Sequence, residues 1–131
     1  IKTFGGTASG PEPLREVLDG IAKIFDTTES ETVTVRHIAD IMNMIGKCIV
    51  AGGARRSAQL MMGSIEDEGY LDFKNYEANP ERASYGWASN NSVDVSVGDD
   101  LTPIIEGIAR NGEPGVLWMD TCSNEPHHLE K

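Results

Sequence analysis

Asn91-Ser92-Val93-Asp94-Val95-Ser96-Val97 is the stretch whose reading decides the fold. Val93, Val95 and Val97 alternate with Ser92, Asp94 and Ser96, the two-residue period of a strand with one buried face. On its C-terminal side, Gly98-Asp99-Asp100 supplies a turn and a helix cap. Leu101 to Ala109 then takes a helical period that puts Ile104, Ile105 and Ile108 on the inward side. Gly112-Glu113-Pro114-Gly115 turns the chain again, into a short strand from Val116 to Met119. On the N-terminal side, Arg56 to Met62 reads as a buried strand that Gly63 ends. Ser64-Ile65-Glu66-Asp67 has the spacing of a helix start, leading through Tyr70, Leu71, Phe73 and Lys74 to a break at Asn79-Pro80. Each pair of strands is separated by a helix, and such crossovers join parallel strands. The expectation is a βαβαβ parallel unit with strands near 56–62, 91–97 and 115–119.

Two helices precede it. Ser9 and Glu12 have capping-box spacing, and Leu14, Val17, Leu18, Ile21 and Phe25 form one apolar stripe over a helix of residues 11–25. Asp26 to Glu31 is a polar connection. Thr34 is the expected N-cap of a second helix ending near Val50. Along it, Val35, Ile38, Met42, Ile45 and Ile49 recur in steps of three and four, a seam expected to pack into the core. Two adjacent amphipathic helices imply an antiparallel hairpin. The chain therefore reads as one α/β domain over residues 1–121, a helical hairpin followed by the βαβαβ unit, with a flexible tail over residues 122–131.

Composition narrows the function classes. With 131 residues the chain has room for one modest core, and 39% apolar with 24% charged residues is a globular balance. The formal charge of −10, from 21 acidic and 11 basic residues, argues against nucleic acid and anionic membranes as partners. No apolar run reaches the length of a membrane span. Cys48 and Cys122 form neither a disulfide framework nor a zinc spacing, and Ile1-Lys2-Thr3-Phe4-Gly5-Gly6 holds no leader pattern, so a reducing cytoplasm is the expected compartment. His127-His128 lacks two further ligands at fixed spacing, and His37 sits where a helix begins, as a surface or capping residue. Asp99-Asp100 and Glu66-Asp67-Glu68 stand at helix starts, where negative charge offsets the helix dipole. No nucleophile, base and orienter set is legible.

One stretch does carry a chemical suggestion. Val50-Ala51-Gly52-Gly53-Ala54-Arg55-Arg56-Ser57-Ala58 places two glycines and two arginines between the second helix and the first strand. Glycines allow a sharp turn and close approach of backbone N–H groups to a ligand, and guanidinium forks suit phosphate oxygens. The same residues also read as a glycine helix stop followed by solvated arginines. Gly5 to Gly10 is a second glycine-rich stretch; it lacks the Gly-Lys-Ser/Thr of a phosphate-binding Walker loop, yet its place before a helix favours an anion.

Four segments in order carry a resemblance: Phe4-Gly5-Gly6-Thr7-Ala8-Ser9-Gly10-Pro11-Glu12-Pro13-Leu14, Asp40-Ile41-Met42-Asn43-Met44-Ile45-Gly46-Lys47, Trp87-Ala88-Ser89-Asn90-Asn91-Ser92-Val93 and Asn111-Gly112-Glu113-Pro114-Gly115-Val116. Together with the glycine-arginine loop, the chain resembles the adenosylcobalamin-dependent ribonucleoside-triphosphate reductases from Phe4 to about Asp120. The resemblance implies part of a ribonucleotide reductase-type α/β barrel. It also implies a parent reaction that replaces the ribose 2′-hydroxyl by hydrogen through thiyl-radical chemistry. The family's Asn-Pro-Cys-Gly-Glu motif does not occur in this chain, and neither Cys48 nor Cys122 matches a position of the family's cysteines, so no catalytic residue is expected here. By resemblance, Gly52, Gly53, Ala54, Arg55, Arg56 and Ser57 form the loop between a deoxynucleoside triphosphate effector and the ribonucleoside triphosphate substrate, with Arg55 reaching the substrate phosphates. Asn90 and Asn91 would be structural, at the start of a barrel strand. Adenosylcobalamin is implied for the full-length parent and none for this stretch alone. The alternative is a free-standing nucleotide-binding or interaction module without catalysis. Open sheet edges and apolar faces make a homo-oligomer the expectation for the isolated chain.

Overall fold

The computed structural model describes residues 7–28 and 32–124. Helix α1 (Glu12–Thr27) and helix α2 (Val35–Val50) come first, packed on each other. They are followed by strand β1 (Leu60–Ser64), helix α3 (Glu68–Leu71), strand β2 (Asn90–Val95), helix α4 (Thr102–Asn111), strand β3 (Gly115–Trp118) and helix α5 (Met119–Asn124). The sheet order is β1-β2-β3 and both pairings are parallel. A helical hairpin followed by a parallel βαβαβ unit is the class that the alternation of periods implied.

Local chemistry explains where elements begin and end. Thr34 accepts from the His37 amide at 3.3 Å while the His37 ring accepts from the Thr34 amide at 3.2 Å, so α2 opens on a reciprocal cap. Helix α1 begins differently from the expectation: Pro11 is its N-cap, and Ser9 makes no cap hydrogen bond. Asp67 caps α3 through its Oδ1, and Asp100 accepts from both the amide and the hydroxyl of Thr102. Those hydrogen bonds hold the Asp100 carboxyl below its ordinary value. β2 stops at Val95, not Val97, because the Ser96 and Val97 amides leave the ladder for the Asp99 and Asp120 carboxylates. Val97 is accordingly 82% exposed. The long connection between β1 and β2 is mostly turns, with 3₁₀ turns at Pro80–Ser84 and Gly86–Ala88, rather than the helix expected through Lys74.

β1 lies at 60–64, further along than the expected 56–62, and includes Gly63. A Cβ on Gly63 would stand 2.2 Å from the Tyr70 ring, so this glycine is the seat of a core aromatic rather than a strand stop. Tyr70, Val93, Val95 and Ile104 form the buried centre, flanked by Met61, Ile65, Leu71 and Leu101. The Tyr70 hydroxyl donates to the Met61 carbonyl at 2.8 Å, and burial pushes its pKa up to about 12.

The apolar stripes of the hairpin face outward, against expectation. Leu14, Leu18 and Phe25 on α1 and Val35, Ile38, Met42 and Ile49 on α2 are exposed. Helix α2 buries Ala39, Asp40, Asn43 and Gly46 instead. Small residues permit close approach to β1 and the following turns, and Asp40 finds a cationic partner there. On α4 only Ile104 of the three isoleucines is buried; Ile105 and Ile108 are exposed. Residues 122–124 belong to α5, and the remainder of the expected tail, with His127 and His128, lies outside the described residues. So do Phe4, Gly5 and Gly6.

Candidate functional site

Helix α2 delivers the glycine-arginine loop. Its last turn runs into a 3₁₀ turn at Ala51–Gly53, where Gly52 has φ 80° and Gly53 φ 70°. That left-handed backbone reverses the chain at little steric cost only for glycine. Gly52 has a second constraint. A Cβ there would stand 2.4 Å from the Thr7 carbonyl oxygen and within 3.4 Å of Ser9, so the loop lies directly against the Thr7–Ser9 backbone. The two glycine-rich stretches that the sequence presents 40 residues apart therefore meet, as far as the first is described.

Beyond the turn, Ala54 and Ser57 are half-buried while Arg55 and Arg56 are exposed. Among the described residues neither arginine is in an ion pair. None of the turn and loop backbone hydrogen bonds uses the Arg55, Arg56 or Ser57 amides. Two guanidinium forks thus stand beside open backbone donors, an arrangement suited to an oxyanion. The loop ends at Gln59. Its side-chain amide donates to the Met42 carbonyl on α2 at 2.9 Å, and its own carbonyl accepts from the Asn90 amide at 2.8 Å.

Two polar clusters that the sequence reading missed frame this loop. Arg82 grips Asp40 with both arms of its fork, at 2.8 and 2.9 Å, and the Tyr85 hydroxyl donates to the same carboxylate at 2.8 Å. The guanidinium also lies 4.9 Å from the Phe73 ring centroid. Burial and the hydrogen bond to Asp40 hold the Tyr85 phenol well above its ordinary range, so it is a donor at all physiological pH. Burial disfavours the Arg82 cation, but the hydrogen bonds and charge of Asp40, with the nearby Tyr85 and Glu81, together outweigh it and raise its pKa. At the start of β2, buried Lys74 pairs with Glu113 at 2.6 Å and donates to the Ser89 carbonyl. Glu113 in turn accepts from the Asn91 amide, and Ser89 donates to the Asn91 side chain. Asn91 is a buried tie between strand starts. The partners in both clusters lie tens of residues apart, and nothing in local spacing links them.

A cavity of about 400 Å³ sits between the hairpin and the 3₁₀ turns, lined by residues that include Val17, Met44, Cys48, Ala51 and Tyr85. Among the described residues, no three His, Cys, Asp or Glu side chains gather to hold a metal, and no helix is long and apolar enough to cross a membrane.

No protein-family model matches the chain. Curated relatives do. The chain is 48% identical over 119 residues to an adenosylcobalamin-dependent ribonucleoside-triphosphate reductase of Euglena gracilis, and 43% identical over 120 residues to a probable one of Dictyostelium discoideum. A Lactobacillus leichmannii enzyme of the same name is 42% identical over 125 residues. These matches take in 91–95% of this chain but only 16–17% of each relative. A crystal structure of a B12-dependent (class II) ribonucleotide reductase superposes with a TM-score of 0.73 at 38% identity, covering 91% of this chain and 16% of that one. Over nearly its whole length the chain is similar to one stretch of the adenosylcobalamin-dependent ribonucleoside-triphosphate reductases. It spans about one sixth of the length of those reductases. His37, the one described histidine, has Nδ1 on the Thr34 amide and Nε2 3.1 Å from the Thr28 hydroxyl. No step through the cobalamin is assigned to this segment.

Proposed function

We propose that this segment carries the loop through which a deoxynucleoside triphosphate effector selects the ribonucleoside triphosphate to be reduced. In this reading Gly52, Gly53, Ala54, Arg55, Arg56 and Ser57 are the loop, and Arg55 reaches the substrate phosphates. The observation that carries it is the contact of Gly52 with the Thr7–Ser9 backbone, beside two guanidinium groups that form no ion pair among the described residues. A nucleotide resting on the Thr7–Ser9 side would press on the loop, and the arginines on the far side would move with it. A glycine turn is suited to that coupling, because its two residues absorb a backbone change with little strain.

The radical chemistry, its cysteines and adenosylcobalamin belong to other parts of the longer polypeptide, in the cytoplasm. The outward apolar stripes of α1 and α2 and the open edges of β1 and β3 are surfaces that further reductase chain covers. In the isolated segment they are the basis for self-association.

The reading is tested in the reductase polypeptide that carries this segment. Arg55→Ala is expected to change which of the four ribonucleotides is reduced under a given effector, while reduction itself persists. An unchanged preference under every effector would overturn the loop assignment.

A further inference from the structure

We infer that Asp40, Arg82 and Tyr85 are positioning residues that set the resting conformation of the 52–57 loop. Their relevance to effector selection rests on the function proposed above; the mechanical claim stands on geometry alone. Asp40 and Arg82 are each only 5% exposed. Their two hydrogen bonds, with the third from Tyr85, fasten the middle of α2 to the 3₁₀ turns at Pro80–Ser84 and Gly86–Ala88.

Those fastened parts hold both ends of the loop. Upstream, α2 runs three turns from Asp40 to the loop's first residue, and Tyr85 and Ala51 line the same cavity. Downstream, the turns lead straight into β2, whose first amide holds the Gln59 carbonyl at the loop's exit. Gln59 also returns to α2 through the Met42 carbonyl. A Cβ on Gly46 would stand 2.4 Å from Gln59 Nε2 and 3.1 Å from the Ala88 side chain, so helix, turn and loop exit are packed without slack. The loop is a span between two anchors, and the carboxylate of Asp40 fixes the distance between them.

Hydrogen exchange of the 131-residue chain tests this without any nucleotide. Tyr85→Phe keeps the ring and the cavity and removes one bond to Asp40. It is expected to speed exchange of the Ala51 and Asn90 amides, the hydrogen-bonded donors at the loop's two ends, by about five-fold, with β3 amides unchanged. Asp40→Asn, which also leaves Arg82 buried without its counter-charge, should do more in the same place on top of a general loss of stability. Asp72→Asn, which disturbs the exposed pair with Arg110 and the hydrogen bond from Asn75, should leave both rates as they are. Ala51 and Asn90 rates unmoved by both Tyr85→Phe and Asp40→Asn would overturn the inference, as would a rise that Tyr85→Phe spreads evenly over the strands. The effector-preference assay with Arg55→Ala judges the loop assignment separately, so either claim can fall while the other stands.

Discussion

Asp40 and Arg82 are nearly fully buried, so each is the other's main compensation for leaving water. Removing one leaves an unpaired buried charge, which costs about 3–5 kcal/mol. Asp40→Ala should therefore lower the urea midpoint by a large part of the domain's stability, whereas Asp72→Ala in the exposed Arg110 pair should cost about 1 kcal/mol or less. Equal midpoints for the two variants would refute this contrast. Tyr70 makes a prediction of opposite pH sign to acid denaturation. Its pKa rises from 10.0 to about 12 on folding. The neutral phenol is favoured in the fold, so its contribution is complete below pH 10 and is lost as pH climbs from 10 towards 12. Chemical denaturation between pH 9 and 12 should show stability falling with pH, and Tyr70→Phe should flatten that slope. At this scale the sequence was informative where chemistry is local. Thr34, His37 and Asp100 cap where they were expected to, whereas the cap of α3 is Asp67 and not Ser64. Lys74 was legible only as a lysine; its burial beneath Glu113 depends on a residue 39 positions away.

Elements were legible by period and misjudged by face. The strands, helices and parallel order follow from alternation and crossovers, while β1 starts four residues later and ends two residues later than expected, taking in Gly63 as the seat of Tyr70. Gly63→Ala would drive a methyl group into that ring. A destabilisation of about 1–3 kcal/mol is expected by thermal unfolding, from overpacking in the core. A neutral Gly63→Ala would mean that α3 sits further from the sheet than described. Helix α2 is the clearest misjudgement. An apolar seam ordinarily marks the core side, yet α2 packs through Ala39, Asn43 and Gly46, because β1 and the 86–88 turn come too close for larger side chains. A single segment's sequence records burial in the whole protein, and it cannot distinguish a face covered within the segment from one covered beyond it.

At the scale of the molecule, that distinction has a consequence. Leu18 is 58% and Met42 40% exposed, with Ile21 and Ile45 half-buried between them, on a hairpin that would otherwise be a core face. The isolated chain should form a dimer or larger assembly at high micromolar concentration, with Leu18→Glu and Met42→Glu together shifting it to monomer in light scattering. A wild-type monomer at that concentration would show that the segment covers these faces itself. The candidate loop was legible as composition, glycines and arginines at a junction, and as a resemblance. Its contact with Thr7–Ser9 and the clamp behind it were not, because both join parts of the chain far apart in sequence. The central claim is that this loop meets nucleotide triphosphates, and Arg55 is its most exposed commitment. Lys74 cannot serve as the comparison cation, being buried in its ion pair, but exposed Lys23 on α1 can. Calorimetric titration of the chain with each deoxynucleoside triphosphate tests the claim directly. Arg55→Ala is expected to weaken binding by about ten-fold and Lys23→Ala to leave it unchanged, in keeping with a charge-assisted phosphate contact. Equal affinity of wild type and Arg55→Ala for every triphosphate would contradict the account.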